Sequence, residues 1–429
     1  MADIHKLSDM LKKLDDQLVN CMHCGMCQAV CPLFQQTGKE TDVTRGKLAL
    51  LDGLASQILH DPKGVDEILN RCLLCGTCQS NCPSGVRVID IFLEARAIMT
   101  GYFGLSPIKK VIFRGMLSNP KFFNTLTSIS SKFQGIFTKK VDALLGSSCA
   151  RFNAPVIADR HFNSLATTPF RKIFPQLDTP AGKSRLRVAF FPGCVVDKMF
   201  PRIGEAIIKI LDKKEVGIFL PPGQACCGIP VLTSGDRQTF DHLIEMNLKL
   251  FADQKFDYLV TPCASCTATI RELWPHLYGG SRENLPDIAA LGKKTRDITE
   301  FLTDLCPASE HQPAEGEDGP ITYHDPCHLK NSLGITAQPR SLIKAAGRTL
   351  IEMNEAGTCC GCGGSFNVAH YELSKKIGNR KADNIIASGA KTVATSCPAC
   401  MMQMTDMLSR RDKGIKVRHV VELYADSLE

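Results

Sequence analysis

The sequence predicts an α+β multidomain chain, a helical N-terminal domain followed by a duplicated α/β body. Three observations predict it. A C-x2-C-x2-C-x3-C-P run occurs twice, at Cys21, Cys24, Cys27, Cys31-Pro32 and at Cys72, Cys75, Cys78, Cys82-Pro83, with helical patterns around and between the copies. From Arg187 onward, short buried-strand patterns alternate with amphipathic helices. That alternation runs through twice, with cysteines recurring at a nearly constant offset.

Four cysteines in eleven residues, closed by a proline, form the run that binds [4Fe–4S] clusters in bacterial ferredoxins. The first three thiols bend around one cube, and in two-cluster proteins the fourth crosses to the other. That assigns Cys21, Cys24, Cys27 and Cys82 to one cluster and Cys72, Cys75, Cys78 and Cys31 to the second. The proline stops any helix and turns the chain away. Structural zinc and a disulfide framework are the competing uses, but zinc favours two separated C-x2-C pairs. A cubane cluster passes single electrons, so electron transfer is the chemistry expected of this domain.

Around the runs, Lys6–Val19, Lys47–Leu59, Val65–Leu69 and Val88–Met99 read as helices from their apolar spacing. Residues 1–98 are therefore expected to form a helical two-cluster ferredoxin domain and not a compact β-rich one. At 429 residues the chain has length for two or three domains. Met1–Asn20 has no apolar h-region or cleavage site, and no apolar run approaches a membrane span. The expectation is a cytoplasmic chain whose thiols stay reduced and available to metals.

Residues 99–186 are expected to form a basic, Phe-rich helical linker. Between Met99 and Arg187 there are 14 Lys plus Arg against 3 Asp and no Glu, with 10 of the 21 phenylalanines. Such a mixture suits either an anionic membrane surface or an acidic partner; ordinary amphipathic helices with snorkelling basic stems would look the same. No nucleic-acid motif accompanies the charge.

The α/β body repeats in detail. Strand Arg187–Phe191 leads to Cys194, strand Val216–Leu220 to Cys226-Cys227-Gly228, and strand Tyr258–Thr261 to Cys263-x2-Cys266. In the second half Ile321–His324 leads to Cys327, Leu350–Met353 precedes Cys359-Cys360-Gly361, and Thr392–Thr395 leads to Cys397-x2-Cys400. The offsets between matching cysteines are 133, 133 and 134 residues. Helices Ile203–Leu211, Asp236–Ala252 and Tyr371–Ala387 fit the gaps, and Ile298-Thr-Glu-Phe corresponds to Val420-Val-Glu-Leu. The domains are expected over 187–306 and 320–429. Thiols that follow parallel strands gather at the carboxyl ends, where open α/β sheets place their sites. Five converging thiols exceed what tetrahedral zinc or a cubane cluster needs. On a tight turn both members of a Cys-Cys pair can reach one centre, and the following glycine lets the backbone approach. Buried inert thiols, or zinc in one half, remain alternatives that spacing alone does not exclude.

These cysteine sets resemble the CCG, or cysteine-rich, domains of heterodisulfide reductases. They also resemble those in the iron–sulfur subunits of glycolate oxidase, D-lactate dehydrogenase and anaerobic glycerol-3-phosphate dehydrogenase. The whole layout, a double ferredoxin unit followed by two CCG domains, is similar to that group. The resemblance implies noncubane [4Fe–4S] clusters, one held by Cys194, Cys226, Cys227, Cys263 and Cys266. A second would be held by Cys327, Cys359, Cys360, Cys397 and Cys400. Both sets are complete, whereas glycolate-oxidase-type subunits often lack members of one. Cys149, Cys306 and Cys362 fall outside the sets and read as packing residues, with Cys362 the one beside a pair. His324 and His328 flank Cys327 and are candidates to protonate a thiolate or quinone oxygen, though satisfied structural histidines are the commoner outcome.

No G-x-G-x-x-G opens a βαβ unit, so no nucleotide or flavin site is evident. The favoured reading is an iron–sulfur subunit that takes electrons from a separate FAD protein oxidising glycolate or D-lactate. It would pass them to a quinone or another carrier, on the inner face of the cell membrane. The alternative is a catalytic subunit, like heterodisulfide reductase, that reduces a disulfide at a CCG-bound cluster.

Overall fold

The computed structural model describes residues 4–152, 160–252, 254–305, 319–411 and 413–428. Up to Phe103 the described residues contain helices and turns and no strand. Leu7, Leu11, Leu14 and Leu18 pack with Leu48, Leu51 and Leu54 of the helix Thr44–Ala55. Val65 and Leu69 of Pro62–Asn70 and Ile91, Phe92 and Ala95 of Val88–Phe103 complete that buried cluster. The expected first helix is instead two pieces, Ile4–Leu11 and Asp15–Leu18, joined by a 3-10 turn at Lys12–Leu14. The tighter turn shifts the helical phase, and Leu14 stays in the core.

Residues 99–186, expected as a basic, Phe-rich helical linker, contain strands as well as helices. The first part is helical: Pro107–Lys110 runs into a π-helical stretch, Val111–Leu117, and Pro120–Phe137 follows. The Asn119 side chain caps that last helix by accepting from Phe122 N–H at 3.1 Å. The chain then forms an antiparallel sheet of β1 (Thr138–Asp142), β2 (Ser147–Ala150) and β3 (His161–Asn163). The strands, TKKVD, SSCA and HFN, are short and mostly polar and carry no clear apolar–polar alternation to read. A further strand, β4 (Leu177–Asp178), pairs antiparallel with the first α/β sheet, so that sheet begins before residue 187.

In the first α/β domain β5 (Arg187–Phe190), β6 (Gly217–Leu220), β7 (Tyr258–Thr261) and β8 (Thr295–Asp297) are mutually parallel, in the order β4-β6-β5-β7-β8. In the second, β9 (Ile321–His324), β10 (Thr392–Thr395) and β11 (Lys416–His419) are parallel in the order β11-β10-β9. They match β5, β7 and β8. The counterpart of β6 is reduced to a single parallel bridge between Leu350 and Ile321.

The helix Val88–Phe103 fixes the N-terminal domain to the first α/β domain. Arg96, almost fully buried, donates to the carbonyls of Leu69 (2.9 Å), Cys72 (2.8 Å) and Thr233 (2.9 Å). Thr100 Oγ1 donates to Ser234 O at 3.0 Å. Against the second α/β domain, Asn331 Nδ2 donates to Cys75 O at 2.8 Å, and Leu33, Leu73 and Cys75 pack on Cys359, Phe366 and Ile377.

Candidate metal centres

Each ferredoxin-type run folds the same way. His23 and Leu74, two residues after the first cysteine, take φ of 54° and 53°, and Gly25 and Gly76 take φ of 84° and 73°. Two departures into left-handed space so close together coil the backbone around a point, at a conformational cost for the two non-glycine residues. One cavity is lined by Cys21, Cys24, Cys27 and Cys82 and another by Cys31, Cys72 and Cys75, with Cys78 lining both. All eight thiols are free of disulfides. Backbone N–H groups of Phe34 and Leu74 donate to the Cys31 and Cys72 sulfurs, at 3.5 and 3.4 Å. Burial pushes the Cys31 thiol up to about 12, a cost that metal binding or a nearby cation must offset. The buried ammonium of Lys47, bonded to Thr41 O at 3.0 Å, and the Arg96 guanidinium supply positive charge beside Cys72. The thiol set and its cationic surroundings fit an anionic iron–sulfur cluster.

The two CCG sets converge on one shared cavity of about 310 Å³, lined by all ten cysteines together with His328, Ser265, Leu73 and Leu74. Each Cys-Cys-Gly turn is built alike. Gly228 and Gly361 have φ of 93° and 91°, and their N–H groups reach Cys226 Sγ and Cys359 Sγ, both at 3.5 Å. A Cβ on Gly228 would lie 2.6 Å from the Phe240 ring, and one on Gly361 2.9 Å from Ser374 O. In each half the second thiol of the pair is held well below its ordinary range. Cys227 accepts from Cys226, Cys266 and the Ile229 N–H; Cys360 accepts from Cys359, Cys400 and the Cys362 N–H. The ten thiols form an unbroken series of sulfur contacts, with Cys263 against Cys397 at the join between halves. The ferredoxin-type domain enters the series through Cys75, which donates to Cys359. Donors of this softness and number suit iron with sulfide.

Of the remaining candidates, His328 lines the cavity with Nδ1 3.0 Å from Ser265 Oγ, across the join between halves. His324 is fully buried, and burial pushes its imidazole down to about 3, so it is neutral. Cys362 lines the cavity, Cys149 lies in β2 away from it, and Cys306 falls outside the described residues. Sequence reasoning missed Lys47, Arg96 and Lys381. Lys381 is buried beside Cys359 and Cys360, bonded to the Glu355 and Ala356 carbonyls, and pushed down to about 8 by burial. The available signal was a basic residue on an apolar helical stripe, as Arg96 stands between Phe92 and Met99.

Residues 17–86 match the family described as a 4Fe-4S dicluster domain, and residues 188–271 and 321–405 each match the cysteine-rich domain called CCG. The fold and its donors thus define an iron–sulfur protein with one dicluster domain and two cysteine-rich domains. The chain is 30% identical to the probable glycolate oxidase iron-sulfur subunit of Bacillus subtilis, over 98% of this chain and 96% of that one. It is 27% identical to a subunit of the fumarate reductase (CoM/CoB) of Methanothermobacter marburgensis, over 95% of this chain and 72% of that one. Lactate utilization protein A of an Exiguobacterium strain is 29% identical over 56% of this chain and 98% of its own length. The chain belongs to the family of glycolate-oxidase-type iron–sulfur subunits, and its role is iron–sulfur electron transfer within an oxidoreductase complex.

Proposed function

We propose that the chain is the iron–sulfur subunit of a flavin-linked 2-hydroxy-acid dehydrogenase, accepting electrons that a separate FAD subunit removes from glycolate or D-lactate. The carrying observation is the continuity of its sulfur ligands, from Cys75 through Cys359 and across Cys397–Cys263 to Cys194. In this reading Cys21, Cys24, Cys27 and Cys82 hold one [4Fe–4S] cluster, and Cys31, Cys72, Cys75 and Cys78 the other. The five-thiol sets hold noncubane clusters. When bound, such clusters supply one-electron transfer with little rearrangement. The protein's own part is to keep the thiols ordered and close, to shield them from water, and to offset their charge with Lys47, Arg96 and Lys381.

The acceptor in this reading is a quinone or another carrier at the inner face of the cell membrane. No helix among the described residues is long and apolar enough to cross a membrane, so contact would be at the surface. Ile108, Val111, Phe122, Ile129, Phe133, Ile136 and Phe137 are exposed on the linker helices, interspersed with Lys109, Lys110, Lys121 and Lys132, a composition suited to anionic lipid. Leu117, Pro120 and Phe123 from the same helices line a cavity with Cys194 and Cys226, which would bring such a surface close to the first thiol set. The test is anaerobic reduction of the purified chain. Glycolate or D-lactate should bleach its visible absorbance only when the FAD subunit is added; no bleaching with either acid would refute the assignment.

One observation favours a second reading, disulfide reduction. Two complete thiol sets face one common cavity of about 310 Å³, so a small disulfide reaching it would meet both. Oxidation of the pre-reduced, isolated chain by a small disulfide, with thiol released in proportion, would select this reading over the first.

A further inference from the structure

The duplication breaks at one buried position. His324 stands 133 residues after Phe191, the same offset that relates Cys327 to Cys194. Both side chains are fully buried. Phe191 belongs to an apolar cluster, whereas His324 puts two ring nitrogens there with no hydrogen bond of good geometry, the Ala356 carbonyl being the one backbone acceptor beside the ring. Leaving a buried polar atom unsatisfied is costly, and the first half shows that an apolar ring serves the same place in the fold. A nitrogen of His324, Cys360 Sγ and Cys400 Sγ all lie within 4.8 Å of one another. A histidine nitrogen and two cysteine sulfurs grouped around one point match the ligand types and spacing of a thiolate–imidazole metal centre.

We propose that His324 is a metal ligand of the second half, binding through a ring nitrogen beside Cys360 and Cys400, so that the duplicated sites differ chemically. The first is all-thiolate; the second mixes thiolate and imidazole. The proposal rests on the reading that the second thiol set holds iron. The half that receives Cys75 through Cys359 is therefore the one with the mixed ligand set, placed directly against the dicluster domain.

The test uses the full, iron-loaded chain, made with natural-abundance or 15N-labelled histidine and studied by pulsed electron paramagnetic resonance. The signal of interest is the one lost in Cys360→Ser. A strong nitrogen coupling on that signal, altered by the label and lost in His324→Phe while the iron content holds, is the expected result. His328→Gln should leave the coupling intact. Phenylalanine is the residue the first half carries at this place, and the label comparison needs no substitution at all. A Cys360-dependent signal with no histidine coupling, or one whose coupling survives His324→Phe, overturns the proposal while leaving iron in the second set. No Cys360-dependent iron signal in a chain with intact dicluster signals overturns the reading beneath it, and the proposal with it.

Discussion

Gly228 and Gly361 show how little freedom the thiol turns allow. Both sit in left-handed space, where a Cβ is disfavoured by about 1–2 kcal/mol, and both abut a neighbouring element. Gly361→Ala should lower the melting temperature of the chain and the iron retained by the second set. Gly146→Ala, at φ 60° with nothing within 4 Å of its Cβ, should show only the smaller, conformational loss. Asp297 carries a pH signature. Buried at the end of β8, it accepts from the Thr299 N–H at 2.9 Å, and burial raises its carboxyl to about 7. The unfolded carboxyl releases its proton near 4, so the folded chain binds more protons between about pH 4 and 7 and stability falls as pH rises through that window. Asp297→Asn should flatten this slope in melting-temperature scans. The contribution removed is on the order of 4 kcal/mol at full extent. His419, the matching cap in the second half, acts with the opposite sign. Burial lowers it to about 4, so its contribution is lost as pH falls from about 6.5 through 4.

Two helices carry element-scale consequences. Val88–Phe103 was legible from its apolar spacing, yet its role as the clamp between domains depends on Arg96 reaching carbonyls 24, 27 and 137 residues away. Arg96→Met keeps the bulk and removes the donors, leaving carbonyls unpaired. Denaturant unfolding should show a loss of about 3 kcal/mol. Pro120–Phe137 was legible in charge and composition, but which of its phenylalanines face outward was not. Phe133 and Phe137 are exposed, whereas Phe123 is turned toward the cavity beside Cys194. A Phe133→Ser, Phe137→Ser double variant should weaken sedimentation with anionic vesicles several-fold without altering the visible spectrum of the clusters. Unchanged sedimentation would remove the lipid surface from the proposed function. The strands β1 to β3 could not be read from sequence, because their pairing rests on contacts between short polar segments.

At the scale of the molecule the ligand assignment becomes testable as a count. Cys72→Ser should remove one cubane signal and leave the other, measured by spin quantitation and iron content; an unchanged count would refute the grouping of Cys31 with Cys72, Cys75 and Cys78. The sequence by itself determined where the cysteines stand, their spacing in two runs and two five-thiol sets, and the duplication. Thiol spacing acts over a few residues, and a repeat leaves its offset in the numbering. Only the tertiary structure decided that both five-thiol sets open on one cavity, that Cys75 meets Cys359, and that the buried ring of His324 lies beside Cys360 and Cys400. Those are contacts between residues far apart in the chain, fixed by how helices and sheets pack, and no local pattern encodes them.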